Sequence, residues 1–558
     1  MLKRCETVVE LIKREILIVI SKQNDLLNDF GVQPSKLKIQ VELTKNQMLG
    51  DFSTNVMMSL GLSPENVLKF AYKIAAALSK RFFAKVEVAK PGFLNIFLSE
   101  NLNSKFLKQI LKQQDEFGKF KHKKIFYNIE FVSANPTGLL HIGHARNAAI
   151  GDTLSRIWKT YGFNVNREYY INDGGNQIEK LAVSTLIRYK QLFGMKDELP
   201  DDSYHGNEII EIASRIKAEV IDKFVNVPYD ENKINDRTAS HFFKAYAKNY
   251  LFNIIKDTLN SFGVSMDIWF SESDIYKNNL INVSLQILKK YIYQNDGATW
   301  LKTSELGDDK DRVLIKTDGT YTYFLPDIVY HNIKLSRGYD KIFNIWGSDH
   351  KSYADRMKIA IQLLGYSKEC VEILIMQMVR LVKNGAEFKM SKRSANTLTL
   401  QDLLDTIGKD AARWFLVSQS LSTHLEIDVD KATKKNNDNP FYYVQYAHAR
   451  INQLLEKTHY DLPKNFNMLV LPIERNLINL LHYFKHTIQT IAHSYETQKM
   501  TLYLTNLAKV FHAFYAANKI IDNQNLALSQ QRFYLAQTVK QVLKNGLFLI
   551  GITAVNKM

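Results

Sequence analysis

A chain of 558 residues with 46% apolar and 23% charged residues is too long for one hydrophobic core and implies about three or four globular domains. Two cysteines, Cys5 and Cys370, exclude a disulfide framework and fit a reducing, cytoplasmic setting, and no run approaches the ~18 apolar residues of a membrane span. The net charge of +16 is unevenly spread: residues 1–110 carry 16 Lys and Arg against 10 Asp and Glu, residues 431–558 carry 15 against 6, and the long middle carries 42 against 41. Two basic ends around a neutral centre suggest a large nucleic acid touched in several places, against the plainer reading of a solubilising surface.

In chain order, the opening segment "MLKRCETVVELIKREILIVI" is interrupted by Lys13, Arg14 and Glu15 and reads as an amphipathic helix rather than a targeting signal. Residues 1–110 then mix a helical pattern, "VLKFAYKIAAALSKRF", with two strand-like runs, "KVEVAK" and "GFLNIFL", separated by Pro91-Gly92, which predicts a small N-terminal α+β domain. From about residue 121 the runs "KIFYNIEFV", "NVNREYYI" and "KIFNIWG" alternate with longer helical patterns. That alternation predicts an α/β, Rossmann-like, doubly wound parallel sheet across residues 111–385. A mostly helical inserted region is expected at about 176–320. Residues 386–435 are read as a basic loop and a connecting stem, and "KKNNDNP" at 434–440 as a boundary. Residues 436–558 form an all-α C-terminal domain with apolar stripes.

The stretch "SANPTGLLHIGHARN" at 133–147 follows a strand, turns at "ANPTG" and opens a predicted helix that stops at Gly162. The helix start offers unpaired N–H groups and a positive dipole end to the sheet's crevice, a place for a phosphate. His141 and His144 share a face, and Gly143 between them leaves room for a base or ribose. A zinc site is the competing reading, but two histidines without a nearby cysteine are an incomplete ligand set. Far downstream, "FKMSKRSANTLTL" places Lys389, Lys392 and Arg393 around Ser391.

In this order in one α/β chain, "HIGH" and "KMSKR" resemble the two signatures of class I aminoacyl-tRNA synthetases. Longer runs, "EFVSANPTGLLHIGHARNAAIGD", "YYINDGGNQI", "TDGTYTYFLPDIVYH", "IWGSDHKSYADRMK", "GKDAARWFL" and "NDNPFYYVQYAHARI", are similar to arginyl-tRNA synthetases of bacterial type. The likeness extends to "MLGDFSTNV" and "AKPGFLNIFLS" in the N-terminal module. The second signature departs from the class pattern in ending on Arg393 instead of serine, yet both lysines are present.

The resemblance implies an arginine–tRNA ligase that uses ATP as substrate, accompanied by Mg²⁺, with L-arginine and tRNA(Arg) as partners, and a monomer. It implies catalytic roles for His141, His144, Lys389 and Lys392. Gly138, Gly143, Gly347, Asp349, Met378 and Val379 would join His141, His144 and Lys392 around ATP. Glu130, Ser133, Asn135, Tyr323, Asp327 and His350 would surround arginine. No metal-ligand set is legible. The N-terminal domain would meet the tRNA elbow and the C-terminal domain its anticodon. The chemistry fits: activation is an in-line displacement at phosphorus that needs positioned donors more than proton transfer. A guanidinium calls for acceptors in a planar arrangement. Such a polar site discriminates steeply enough that no editing module is needed. Two other readings stay open: another ATP-using ligase or nucleotidyltransferase on the same sheet, which needs no "TYFLPD" pocket, and an RNA-binding paralogue with a dead site, which would lack the histidines or Lys392.

Overall fold

The structure is a computed structural model describing residues 7–22, 37–44, 46–78, 80–388 and 398–558. Strand β1 (Phe126–Glu130) lies at the middle of a five-stranded sheet with β2 (Asn164–Ile171), β3 (Ile268–Ser271), β4 (Lys341–Gly347) and β5 (Val371–Met376), in the order β5-β4-β1-β2-β3. Every pairing is parallel. The chain winds outward from β1 in one direction and from β4 in the other, so the carboxyl ends of these two strands frame a crevice. The register sets Glu130 beside Asn344 on one side and beside Glu168 on the other.

Helix α1 (Ile142–Thr160) follows β1. At Gly151 an added Cβ would lie 2.3 Å from the Phe131 ring, so only glycine lets the helix settle this closely on the sheet. Helix α2 (Phe324–Ser336) precedes β4. The intervening stretch is mostly helical, with Asn176–Gln191, Asn207–Val220 and Arg237–Ser261 sharing one apolar core. It also supplies β3 at the sheet edge and a three-stranded antiparallel sheet of Ile292–Asn295, Ala298–Leu301 and Arg312–Ile315. These strands are four residues each, too short for a periodicity to register. Residues 123–159 and 163–433 together make one compact unit.

The other unit comprises residues 1–122, 160–162 and 434–558. Its N-terminal part is an antiparallel sheet of Glu42–Leu43, Phe52–Thr54, Phe93–Leu98 and Phe83–Ala89, in that spatial order. Helices Val8–Ser21 and Pro64–Ala77 bury their apolar stripes against it, and Thr7 with Glu10 closes a capping box on the first. Its C-terminal part is a bundle of Pro440–Leu455, Pro472–Ser494, Gln498–Ala517 and Leu526–Leu549. Helix Pro472–Ser494 joins the two parts: the Asn479 amide donates to Asp51 at 2.8 Å, and the His482 ring stacks on Phe106 at 3.6 Å. The two basic ends of the sequence therefore share one unit. No helix among the described residues is long and apolar enough to cross a membrane.

Candidate active site

A cleft of 1160 Å³ opens at the carboxyl ends of β1 and β4. It gathers Glu130, Ser133, Asn135, His141, Gly143 and His144 from the β1 side, Asp327 from α2, and Gly347, Asp349, His350, Met378 and Val379 from beyond β4 and β5. Gly138 and Tyr323 are not among its lining residues. Tyr323, at the start of α2, is 89% exposed. Lys389 and Lys392 lie outside the described residues, but Phe388 and Leu398, which flank that stretch, both line the cleft. Met378 is 71% exposed within it, an open apolar surface of the kind a flat base covers.

The turn leaving β1 is strained. Val132 has φ +70° and Ser133 φ +41°, a region that β-branched residues avoid. The surroundings hold the turn there. The Val132 N–H donates to Oδ1 of Asn147 at 3.0 Å, and the Asn147 amide donates to the Ile345 carbonyl at 2.9 Å, so α1 clamps β1 to β4 at the crevice. The Ser133 hydroxyl donates to Glu130 at 3.0 Å and accepts from the Tyr170 N–H at 3.1 Å.

The histidine turn differs from its sequence reading in two ways. The helix begins at Ile142, and its first amides are already engaged: His141 N–H donates to Nδ1 of His144 at 3.2 Å, Gly143 N–H to Nδ1 of His141 at 3.0 Å, and Ile142 N–H to the Leu398 carbonyl at 3.1 Å. These amides are not free for a phosphate. At Gly143 a Cβ would lie 2.8 Å from the His141 ring, so the missing side chain is what gives that ring its place. The two rings stack at 3.7 Å. Burial pushes the pKa of His144 down to about 3, and that of His141 down as well, so both are neutral near pH 7. With each Nδ1 accepting, the proton of each ring sits on Nε2. The turn thus offers two uncharged donors in place of the helix amides. The Leu400 N–H also donates to the Leu140 carbonyl at 2.6 Å, tying the chain that follows the "KMSKR" stretch to this turn.

Carboxylates line the same cleft. Glu130 is paired: Lys334 reaches it at 2.7 Å and donates equally to Asn344 at 2.7 Å. Asn344 meets His331, whose other ring nitrogen faces the Asp327 carbonyl at 2.8 Å. The Asp327 carboxylate itself has no ion pair among the described residues. It accepts the Tyr353 hydroxyl at 2.5 Å. Burial, with Glu130 and Glu272 nearby, raises its pKa to about 7 despite that bond and Lys334. A buried carboxylate in this state lacks a cation.

Sequence reading misses four participants. Tyr353 positions Asp327. Glu272, just after β3, has its carboxyl pKa raised by burial and accepts the Tyr276 hydroxyl at 2.9 Å. Tyr170 is a second hydrogen-bond partner of Glu272 and lines the cleft. Arg146, fully buried, donates to the carbonyls of Gln377 at 2.6 Å, Ser420 at 2.8 Å and Thr423 at 3.0 Å, and so fixes the strand edge at Met378. A charged residue two positions beyond "HIGH", on a face otherwise of Ala and Ile, is the available signal.

Three family models match the chain. Residues 10–98 match the arginyl-tRNA synthetase N-terminal domain, residues 106–428 the class I tRNA synthetase (R) catalytic domain, and residues 444–558 the DALR anticodon-binding domain. The chain is 47% identical over 554 residues to an arginine–tRNA ligase of Malacoplasma penetrans, covering 96% of this chain and 98% of that one. It is 40% identical over 568 residues to one of Bacillus cereus, covering 99% of each. A solved arginyl-tRNA synthetase structure from Campylobacter jejuni superposes with a TM-score of 0.74 at 36% identity, covering 83% of this chain and 100% of that one. One from Thermus thermophilus shares the fold, with a TM-score of 0.76 at 19% identity over 99% and 100% of the two chains. With catalytic, N-terminal and anticodon-binding regions all matched, the chain belongs to the class I arginyl-tRNA synthetase family.

Proposed function

We propose that the cleft activates L-arginine with ATP and charges tRNA(Arg). A carboxylate oxygen of arginine attacks the α-phosphorus, the bond to pyrophosphate breaks, and arginyl-adenylate forms. A hydroxyl of the 3′-terminal adenosine then attacks the acyl carbon and AMP leaves. The observation that carries this reading is the pairing, in one cleft, of an uncompensated carboxylate at Asp327 with two neutral imidazole donors at His141 and His144.

In this reading His141 and His144 donate Nε2–H to phosphate oxygens as negative charge spreads over them. Lys389 and Lys392 would neutralise the triphosphate. Gly143, Gly347 and Asp349 surround the nucleotide, and the backbone at Met378 and Val379 meets adenine. Asp327 takes the guanidinium, with Glu130, Ser133, Asn135 and His350 completing the arginine side. Mg²⁺ enters with ATP as part of the substrate. The enzyme works as a cytoplasmic monomer.

Charging of total tRNA with each standard amino acid in turn tests the reading. Arginine alone should be esterified, and equal charging by lysine, or none by arginine, overturns it.

A further inference from the structure

Helix α2 and the residue that caps it supply cations, one each, to two buried acids of the central strands. Glu168 on β2 receives Arg337, the C-cap of α2, at 2.8 Å and the Asn128 amide at 2.6 Å. Glu130 on β1, its neighbour in register, receives Lys334 at 2.7 Å. Asp327, on α2 itself, has no ion pair among the described residues. Glu272 stands near it from beyond β3 and is held by the hydroxyls of Tyr276 and Tyr170. Lys334 is fully buried and does not line the cleft; its ammonium lies 4.5 Å from the Tyr330 ring centroid. An ammonium only donates, so Asn344, bonded to it through Oδ1 at 2.7 Å, turns its amide N–H toward His331. That settles the imidazole. Burial holds its pKa at about 3, Nε2 accepts from Asn344, and Nδ1–H donates to the Asp327 carbonyl at 2.8 Å.

We propose that Lys334 determines specificity for arginine as a positioning residue: its ammonium answers the charge of Glu130 inside the protein and so reserves the Asp327 carboxylate for the guanidinium of the substrate. The inference rests on the arginine reading of the cleft given above, and it adds a residue that never touches the substrate. A buried ion pair kept only for stability is the ordinary alternative, yet such pairs contribute little over well-packed apolar groups. Two features stand against it. Glu130 lines the cleft and is bonded there by the Ser133 hydroxyl, and the hydrogen-bonded chain from Lys334 ends on Asp327. Without the ammonium, Glu130 and Asp327 become neighbouring carboxylates that share no cation. Glu130 pushes the Asp327 pKa up and Lys334 draws it down, so losing Lys334 moves it further up. The empty pocket then holds a proton at neutral pH, which a guanidinium must displace.

The test is arginine-dependent pyrophosphate exchange, with tRNA present, by wild type, Lys334→Ala and Lys334→Met between pH 6.5 and 9, with L-citrulline as a neutral competitor. Lys334→Met keeps the volume of the side chain, so it carries the test if the cavity in Lys334→Ala unfolds the chain. At pH 7 both variants should show the KM for arginine raised about tenfold or more, with kcat and the citrulline inhibition constant near wild type. The difference in KM should shrink as pH rises toward 9, where the extra proton is gone. Propylammonium replaces the Cγ, Cδ, Cε and Nζ atoms removed in Lys334→Ala and should bring its KM back toward wild type. Tetramethylammonium, which cannot donate, should not. A wild-type KM in both variants overturns the proposal. So does a KM raised equally at every pH together with an equal weakening of citrulline, the mark of a merely structural role, and so does a folded Lys334→Ala that propylammonium leaves unchanged. Wild type without arginine-dependent exchange would overturn the function and this role together, whereas normal exchange with unaltered variants overturns the role alone.

Discussion

The Tyr353 hydroxyl donates to Oδ2 of Asp327 across 2.5 Å, and it does so in a cleft where that carboxylate makes no ion pair among the described residues. One hydrogen bond is a small return for burying a charge. The pair reads as a receptor for a guanidinium, with Tyr353 fixing the direction of the carboxylate.

Replacing Asp327 with asparagine should separate stability from function. The folded-state pKa of Asp327 is raised, so its ionised form works against folding at pH values above about 7 and the penalty fades as pH falls below it. The Asp327→Asn protein should melt at a higher temperature than wild type at pH 8 without arginine, and the gap should narrow as pH falls from 7 toward about 4. Arginine use should fall by about 2–5 kcal/mol in kcat/KM, since the substrate cation is left unpaired. A variant that melts lower at pH 8, or charges arginine normally, contradicts this.

Arginine use should carry the same titration. Below pH about 7 the empty site holds a proton that the guanidinium must displace, so the KM for arginine should rise up to tenfold per unit as pH falls. His144, at about 3, adds no inflection between pH 5 and 8. Tyr353→Phe removes the bond that favours the carboxylate and should move the inflection upward. Steady-state pyrophosphate exchange across this range, with tRNA present, reads both effects, and a flat profile or a downward move counts against the assignment.

Arg146 should govern nucleotide binding through the strand edge it holds. Lysine at this position keeps the charge and loses the fork that reaches carbonyls on two segments. Arg146→Lys should raise the KM for ATP on the order of tenfold while leaving the KM for arginine near wild type. Equal changes in both constants would mean a general loss of structure instead.

Lys392→Ala should lower the activation rate by about 10²–10³-fold by removing one contact to the transition-state phosphoryl charge. Single-turnover formation of the adenylate is the readout, and an unchanged rate sinks the role assigned to this lysine.

Much of this site is legible in the sequence because it is local. The strand at 126–130, the turn and "HIGH" follow one another along the chain, so alternation and turn residues alone place them at a crevice. What escapes is non-local. Lys334 neutralises Glu130 from 204 positions away, and Arg146 reaches carbonyls more than 230 positions on, contacts that no periodicity encodes. The role of Gly143 is hidden for a related reason: its neighbour's ring folds back over it, a rotamer choice that sequence leaves open. Strand β3 escapes because four aromatic-rich residues at a sheet edge resemble a loop. The charge distribution is plain along the chain but not across space, since the two basic ends share one unit through helix Pro472–Ser494.

Recognition of a planar cation through Asp327 is open to calorimetric titration with L-arginine and with L-citrulline, its neutral near-isostere. At pH 6.5, with tRNA present and in two buffers of different ionisation enthalpy, wild type should bind arginine with net release of a fraction of a proton and bind citrulline at least a hundredfold more weakly, while Asp327→Asn should erase both the proton release and most of the preference. Equal affinity for the two ligands in wild type, or unaltered proton release and preference in Asp327→Asn, would mean that Asp327 does not receive the guanidinium.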